Sequence, residues 1–194
     1  AIKNLKQNNT AQVNDVLLIT KPIGVGVLAT AQKRQLLTPE DLTLLVKQLT
    51  TLNKVGEQLG NVQGVHAMTD ITGFGLLGHA LEMARGSHHT VQLNMSQVPL
   101  LHGVRELAEQ GMLTGASGRN WSAYGNEIEL APERNAIDQA LLSDHQSSGG
   151  LLVASAPENV AEVLAVFHQH GFAHACEVGE ITAAAANGIK LQVR

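Results

Sequence analysis

The run VLLIT at 16–20 is β-rich and apolar without alternation, and it ends at Lys21-Pro22. A strand points successive side chains to opposite faces, so an unalternated strand needs cover on both sides. It therefore reads as an interior strand. VHAM at 65–68, TVQLNM at 90–95 and LLVAS at 151–155 also read as strands, and ACEVGEI with IKLQV as a final edge or hairpin pair. The spacing of Leu42, Leu45, Val46, Leu49, Leu52, Val55 and Leu59 predicts an amphipathic helix packed on a sheet through a wide apolar face. Thr38 is its N-cap, Pro39 its first residue, and Glu40 and Asp41 put negative charge in its first turn. Further helices are expected within 24–37 and after Gly75, the latter with Leu76, Leu77, Ala80, Leu81 and Ala84 as its core stripe. Others are expected over 102–110, between Pro132 and Leu142, and from Pro157 to His170. Residues 113–125, rich in Gly, Ser, Thr, Asn and Arg, read as a long loop. No repeat or linker divides the pattern. The expectation is one α/β domain over 13–194, a mixed sheet with packed helices, preceded by a polar linker or tail at 1–12.

Composition narrows the function classes. A compact chain of 194 residues buries about 70% of its unfolded surface, enough for a core without disulfides or metals. With 44% hydrophobic and 15% charged residues, general disorder is excluded. A net charge of -4 and only 3% aromatic residues argue against a nucleic-acid surface or a base-stacking platform. The single cysteine, Cys176, can form no internal disulfide and is too few for a structural zinc site. In its strand context it reads as buried and inert. No 18-residue apolar run is present to span a membrane. Residues 1–12 lack the apolar stretch of a signal peptide, so cytoplasmic residence is expected.

The segment Asp70-Ile71-Thr72-Gly73-Phe74-Gly75 links a strand to a helix. A carboxylate at a strand's carboxyl end can face a crevice, and the helix beyond offers free N–H groups to phosphate. Carboxylate beside phosphate calls for Mg²⁺, because the two repel otherwise. The same residues also fit a plain helix cap with a tight turn. Asp144 and Ser147-Ser148-Gly149-Gly150 form a second loop whose hydroxyls and N–H groups can cradle an anion or simply turn the chain. Arg119, beside Asn120, is a phosphate clamp or an ordinary surface arginine, and Lys21 a phosphate charge or a surface lysine. His79 fits an acid–base or supporting role, or a core one. His88-His89 and the trio His168, His170 and His174 show no metal-ligand spacing. Neither GxxxxGK[ST] nor GxGxxG is present.

Taken together, MTDITGFGLLGHALEMA, VLLITKPIGVGVL, RNWSAYG, DHQSSGGLLVA and VGEI resemble, in order and spacing, the C-terminal domain of selenophosphate synthetase (selenide, water dikinase). The resemblance covers about 10–194. The looser Asp and Gly pattern is shared with the aminoimidazole ribonucleotide synthetase-like superfamily, including thiamine-monophosphate kinase and a hydrogenase-maturation protein. The resemblance implies that superfamily's α/β C-terminal fold and conversion of ATP, selenide and water to selenophosphate, AMP and phosphate with Mg²⁺. It implies Asp70 as a Mg²⁺ ligand, and Thr72, Gly73, Gly75, Arg119, Asn120, Asp144, Ser147 and Ser148 near phosphate or substrate. It further implies an N-terminal domain carrying the catalytic Cys or selenocysteine, a Lys and further aspartates, and building a homodimer. That domain's motifs are absent from this sequence, so the chain by itself is expected to be inactive. The loop departs from the family's DPQTSGG at His145 and Ser147, and Asn14 stands where a glycine is usual. Asn tolerates the left-handed conformation such a turn needs. Another ATP-dependent member of the superfamily, or a non-catalytic binding module, remains compatible with the Asp70 loop.

Overall fold

The computed structural model describes residues 4–194. Its first half runs β1 (Val16–Ile19), α1 (Val25–Lys33), α2 (Pro39–Thr50), α3 (Val55–Leu59), β2 (Val65–Asp70), α4 (Gly75–Ser87) and β3 (Thr90–Leu93). The second half runs α5 (Val104–Glu109), α6 (Gly115–Tyr124), β4 (Ile128–Leu130), α7 (Ala136–Leu142), β5 (Leu151–Ser155), α8 (Val160–Gln169), β6 (Cys176–Thr182) and β7 (Leu191–Val193). The strands form one mixed sheet in the order β2-β5-β1-β6-β3-β7-β4. Pairing is antiparallel except where β7 runs parallel to β3 and β4.

The unalternated strands lie where their pattern demands. Leu17 and Ile19 of β1 join one core with residues of α1, α4 and α7, whereas Leu18 joins a second with Leu59 of α3 and Phe167 of α8. Every residue of β5 is buried. Farther along, β3, β7 and β4 are apolar on the first face only. Their other face carries Gln92, which donates to Gln192 at 3.0 Å, and Gln192 in turn donates to Glu129 at 2.8 Å. Asn14 takes a φ of 74°, the left-handed turn expected of it.

Several expectations are corrected. The helix from Thr38 does not reach Leu59. Its N-cap holds, with Thr38 accepting from the Asp41 N–H at 3.1 Å, but α2 ends at Thr50 and α3 starts at Val55. Thr50 and Thr51 bond back to carbonyls of their own last turn, an alternative that competes with helix propagation. Lys21 then holds the Thr51 carbonyl and Asn53 reaches Gly149, drawing the chain out. The wide apolar face is also not packed. Leu45 is 5% exposed, while Val46 is 51% exposed and Leu52 64%.

The expected loop at 113–125 is α6. Thr114 caps it by accepting from the Ser117 N–H, and Asn120 and Tyr124, one turn apart, tie the helix to its neighbours. Tertiary bonds thereby overcome the weak helix propensity of Gly115 and Gly118. The last two strands do not pair with each other. β6 lies inside the sheet between β1 and β3, where Val178 and Ile181 are buried, and β7 lies between β3 and β4. The short β4 carried no signal of its own. Of the segment read as linker or tail, residues 1–3 lie outside the described residues, and the rest runs beside β2: the Met68 N–H donates to Gln7 O, Thr10 Oγ1 donates to His66 O, and Ala11 is buried.

The exposure difference along α2 is directly measurable. Leu45→Ala should cost about 2–4 kcal/mol in urea unfolding, and Val46→Ala no more than about 0.5 kcal/mol. Equal losses would mean that the whole apolar face is packed.

Candidate functional site

β1 and β2 end, and β5 begins, at one edge of the sheet: Ile19 stands opposite Leu152, and Asp70 opposite Leu151. Segments 20–24, 71–74 and 143–150 meet there. Ile71 N–H donates to Gly150 O at 2.8 Å, Gln146 N–H to Thr72 O at 3.0 Å, and Thr20 N–H to Leu151 O at 3.1 Å. A Cβ on Gly149 would stand 2.0 Å from Ile71 O, so only glycine allows the two loops to touch. Gly75 enters α4 with a φ of 72°, against the backbone of Ser143 and Asp144.

Beneath this surface lie two polar staples. Asp144 is fully buried. Its Oδ2 accepts from the Val27 N–H at 3.2 Å and its Oδ1 from the Thr114 hydroxyl at 3.0 Å. Gln146 Oε1 accepts from the Gly24 and Val25 N–H groups at 3.0 and 3.2 Å. The two side chains thus satisfy the free amides at the start of α1. Burial pushes the Asp144 carboxyl above its ordinary range, against the Thr114 hydrogen bond and His145, whose Nδ1 is 3.8 Å away. Lys21 is the second staple. It is 2% exposed, neither a surface lysine nor an open phosphate charge. Its ammonium donates to Thr51 O at 2.6 Å, Ser148 O at 2.8 Å and Gln48 O at 3.4 Å, and burial lowers its pKa.

Above the staples, Asp70 ends β2 exposed, and its carboxylate makes no hydrogen bond among the described residues. Thr72 is half-buried and meets His79 Nε2 at 3.0 Å; Gly73 and Phe74 are exposed. Asn120 braces the loop by donating to Gly73 O at 2.9 Å and Ser143 O at 3.0 Å. Tyr124 donates to Phe74 O at 2.7 Å, and burial pushes its phenol up to about 12. Arg119 is exposed on α6 beside Asn120, and Ser147 and Ser148 are exposed on their loop, Ser148 at a φ of 52°.

The structure therefore brings together Asp70, Thr72, Gly73, Gly75, Asn120 and the 143–150 loop, with Asp144 below the surface rather than on it. Among the described residues no three His, Cys, Asp or Glu side chains converge on a metal position. His168 and His170 bond backbone carbonyls near the end of α8, and His88 is the left-handed cap of α4. Cys176 is half-buried, its thiol pKa raised by burial. Sequence reasoning missed Gln146, Thr114 and Glu82. Only Glu82 carried a local signal, three residues after His79 on a helix.

The family described as AIR synthase related protein, C-terminal domain, matches residues 12–192. The chain belongs to this family. Among its relatives, the selenide, water dikinase of Pseudomonas straminea is 48% identical over 183 residues, covering 94% of this chain and 51% of that protein. The selenide, water dikinase of Paraburkholderia xenovorans (strain LB400) is 50% identical over 179 residues, covering 92% and 51%. The chain thus spans about half the length of the curated relatives it matches. Crystal structures share the AIR synthase related fold at lower identity. HypE of E. coli aligns with a TM-score of 0.71 at 20% identity, covering 97% of this chain and 48% of that one. Thiamine-monophosphate kinase of Stenotrophomonas maltophilia K279a aligns at 0.64 and 18%, covering 97% and 52%. No helix among the described residues is long and apolar enough to cross a membrane.

In this AIR synthase related domain, burial makes folded Asp144 hold a proton more tightly than the unfolded chain does. Its contribution to stability is therefore greatest below the ordinary value of 3.8 and is lost as pH rises through the raised pKa. Asp144→Asn should remove that decline from urea midpoints measured upward from this pH. An unchanged pH profile would show that Asp144 titrates normally.

Proposed function

We propose that this chain is the C-terminal domain, residues 13–194, of a cytoplasmic selenide, water dikinase. It contributes one wall of a site that converts ATP, selenide and water to selenophosphate, AMP and phosphate. The observation that carries this reading is the exposed, unengaged carboxylate of Asp70 on a loop held from below by buried bonds. A relative of that name matches 94% of the chain at 48% identity.

Asp70 fits Mg²⁺ as one hard oxygen ligand, and among the described residues no group of three His, Cys, Asp or Glu side chains forms a complete metal site there. Bound there with polyphosphate, Mg²⁺ would neutralise charge on the transferring phosphoryl group. Asp70 holds the negative charge that positions the cation. Arg119 and the hydroxyls of Ser147 and Ser148 are the exposed groups available to phosphate oxygens, the arginine through a planar fork. Asn120 and Tyr124 keep the Asp70 loop from collapsing. Asp144 acts from underneath, by fixing the 143–150 loop to α1. An N-terminal half, joined through 1–12, supplies the remaining carboxylates, the nucleophile and the homodimer contact. Cys176, with its pKa raised by burial, is unsuited to be that nucleophile.

Two measurements test the reading. Phosphorus NMR of the chain alone with ATP, Mg²⁺ and anaerobic selenide should show no selenophosphate. Joined to an N-terminal half from one of the dikinase relatives, it should form AMP in a selenide-dependent manner. Asp70→Asn should lower that rate about 100-fold or more, the scale of losing a main electrostatic contact to the transition state. Full activity of the Asn variant, or AMP formation indifferent to selenide, would overturn it.

A further inference from the structure

Thr72, His79 and Glu82 form a hydrogen-bonded chain from the cleft loop into α4. Thr72 Oγ1 lies 3.0 Å from His79 Nε2, and His79 Nδ1 lies 3.0 Å from Glu82 Oε2. His79 is buried, with the Phe74 ring beside it at 5.9 Å between centroids. The direction of each bond follows from the chemistry of the groups. An ionised carboxylate can only accept, so Glu82 takes the proton on Nδ1. Nε2 of the neutral imidazole is then a bare lone pair. Thr72 must donate its hydroxyl proton to that lone pair. A hydroxyl has one proton, so Thr72 can only accept from anything else it meets.

Thr72 is half-buried and two residues beyond exposed Asp70. A phosphate oxygen there would face oxygen lone pairs and gain nothing from them. A water molecule has protons to donate. We propose that His79, held in one tautomer by Glu82, is a positioning residue that keeps Thr72 a hydrogen-bond acceptor, and that Thr72 thereby orients the water consumed in the reaction. This deepens the dikinase reading of the site and rests on it for the identity of the water. It also separates Thr72 from exposed Ser147 and Ser148, whose hydroxyls meet no such acceptor among the described residues and can donate to phosphate.

The experiment has two arms. In the chain alone, two-bond nitrogen–proton NMR of the imidazoles should show His79 protonated at Nδ1 and bare at Nε2. Thr72→Val should keep that tautomer and move the Nε2 shift toward that of an unbonded nitrogen. Glu82→Leu, at a partly exposed position, should give the Nε2–H form that free histidine prefers. A wild-type Nε2–H tautomer overturns the proposal. In the protein joined to an N-terminal half, His79→Phe and Thr72→Val should each lower kcat about tenfold, roughly one well-placed hydrogen bond, with the KM for ATP within about twofold. Thr72→Ser should retain activity, and the double variant should be no slower than either single one. Additive losses, or a rise in KM without loss of kcat, would overturn the positioning role. If the joined wild-type protein makes no selenide-dependent AMP, the dikinase reading fails and the assignment of the water fails with it. The tautomer measured in the chain alone still decides the polarity of Thr72.

Discussion

The free amides at the start of α1 are buried under the sheet edge, and a buried amide without a partner is costly. Asp144 and Gln146 supply the partners from a loop more than a hundred residues away in sequence. Much of the site follows from this one capping arrangement. It pins 143–150 in place, and that loop in turn receives Ile71, Thr72 and Gly75. Lys21 performs the complementary task, giving one buried ammonium to three carbonyls at the end of α2 and on the SSGG loop. A carboxylate serves orphan donors and an ammonium serves orphan acceptors, and the cleft loops are clamped between them.

This division explains why the charged residues of the region play such different parts. Asp144 and Lys21 are ionisable, but their bonding groups are consumed by the fold. Asp70 and Arg119 lie outside the clamp and remain exposed. In the dikinase reading proposed above, rigid support below and open polar groups above suit phosphoryl transfer, whose catalysis is mostly positioning and charge stabilisation.

Much of this was legible in the chain where the signal is local. The unalternated apolar run predicted an interior β1, Thr38 and Pro39 predicted the start of α2, and the stripe Leu76, Leu77, Ala80, Leu81 and Ala84 predicted the buried face of α4. Asp70 at a strand end before a glycine turn was readable as either a crevice-facing carboxylate or a helix cap, and the structure leaves it exposed. Illegible were features whose cause lies elsewhere in space. Helix α6 depends on bonds that Asn120 and Tyr124 make to distant carbonyls. Nothing near Leu49 says that α2 stops under the pull of Lys21 and Asn53, or that of its apolar stripe only Leu45 enters the core.

The sequence by itself determined most of the strands and helices, which strand needs two covered faces, and that Asp70 stands on a strand-to-helix turn. Those properties arise from side-chain periodicity, capping and turn chemistry within a few residues. Tertiary structure alone decided that β6 enters the middle of the sheet, that Asp144 and Lys21 become buried staples, and that Thr72 meets His79. Strand order and the pairing of buried polar groups depend on contacts between segments far apart in the chain, and no local pattern encodes which donor will find which acceptor.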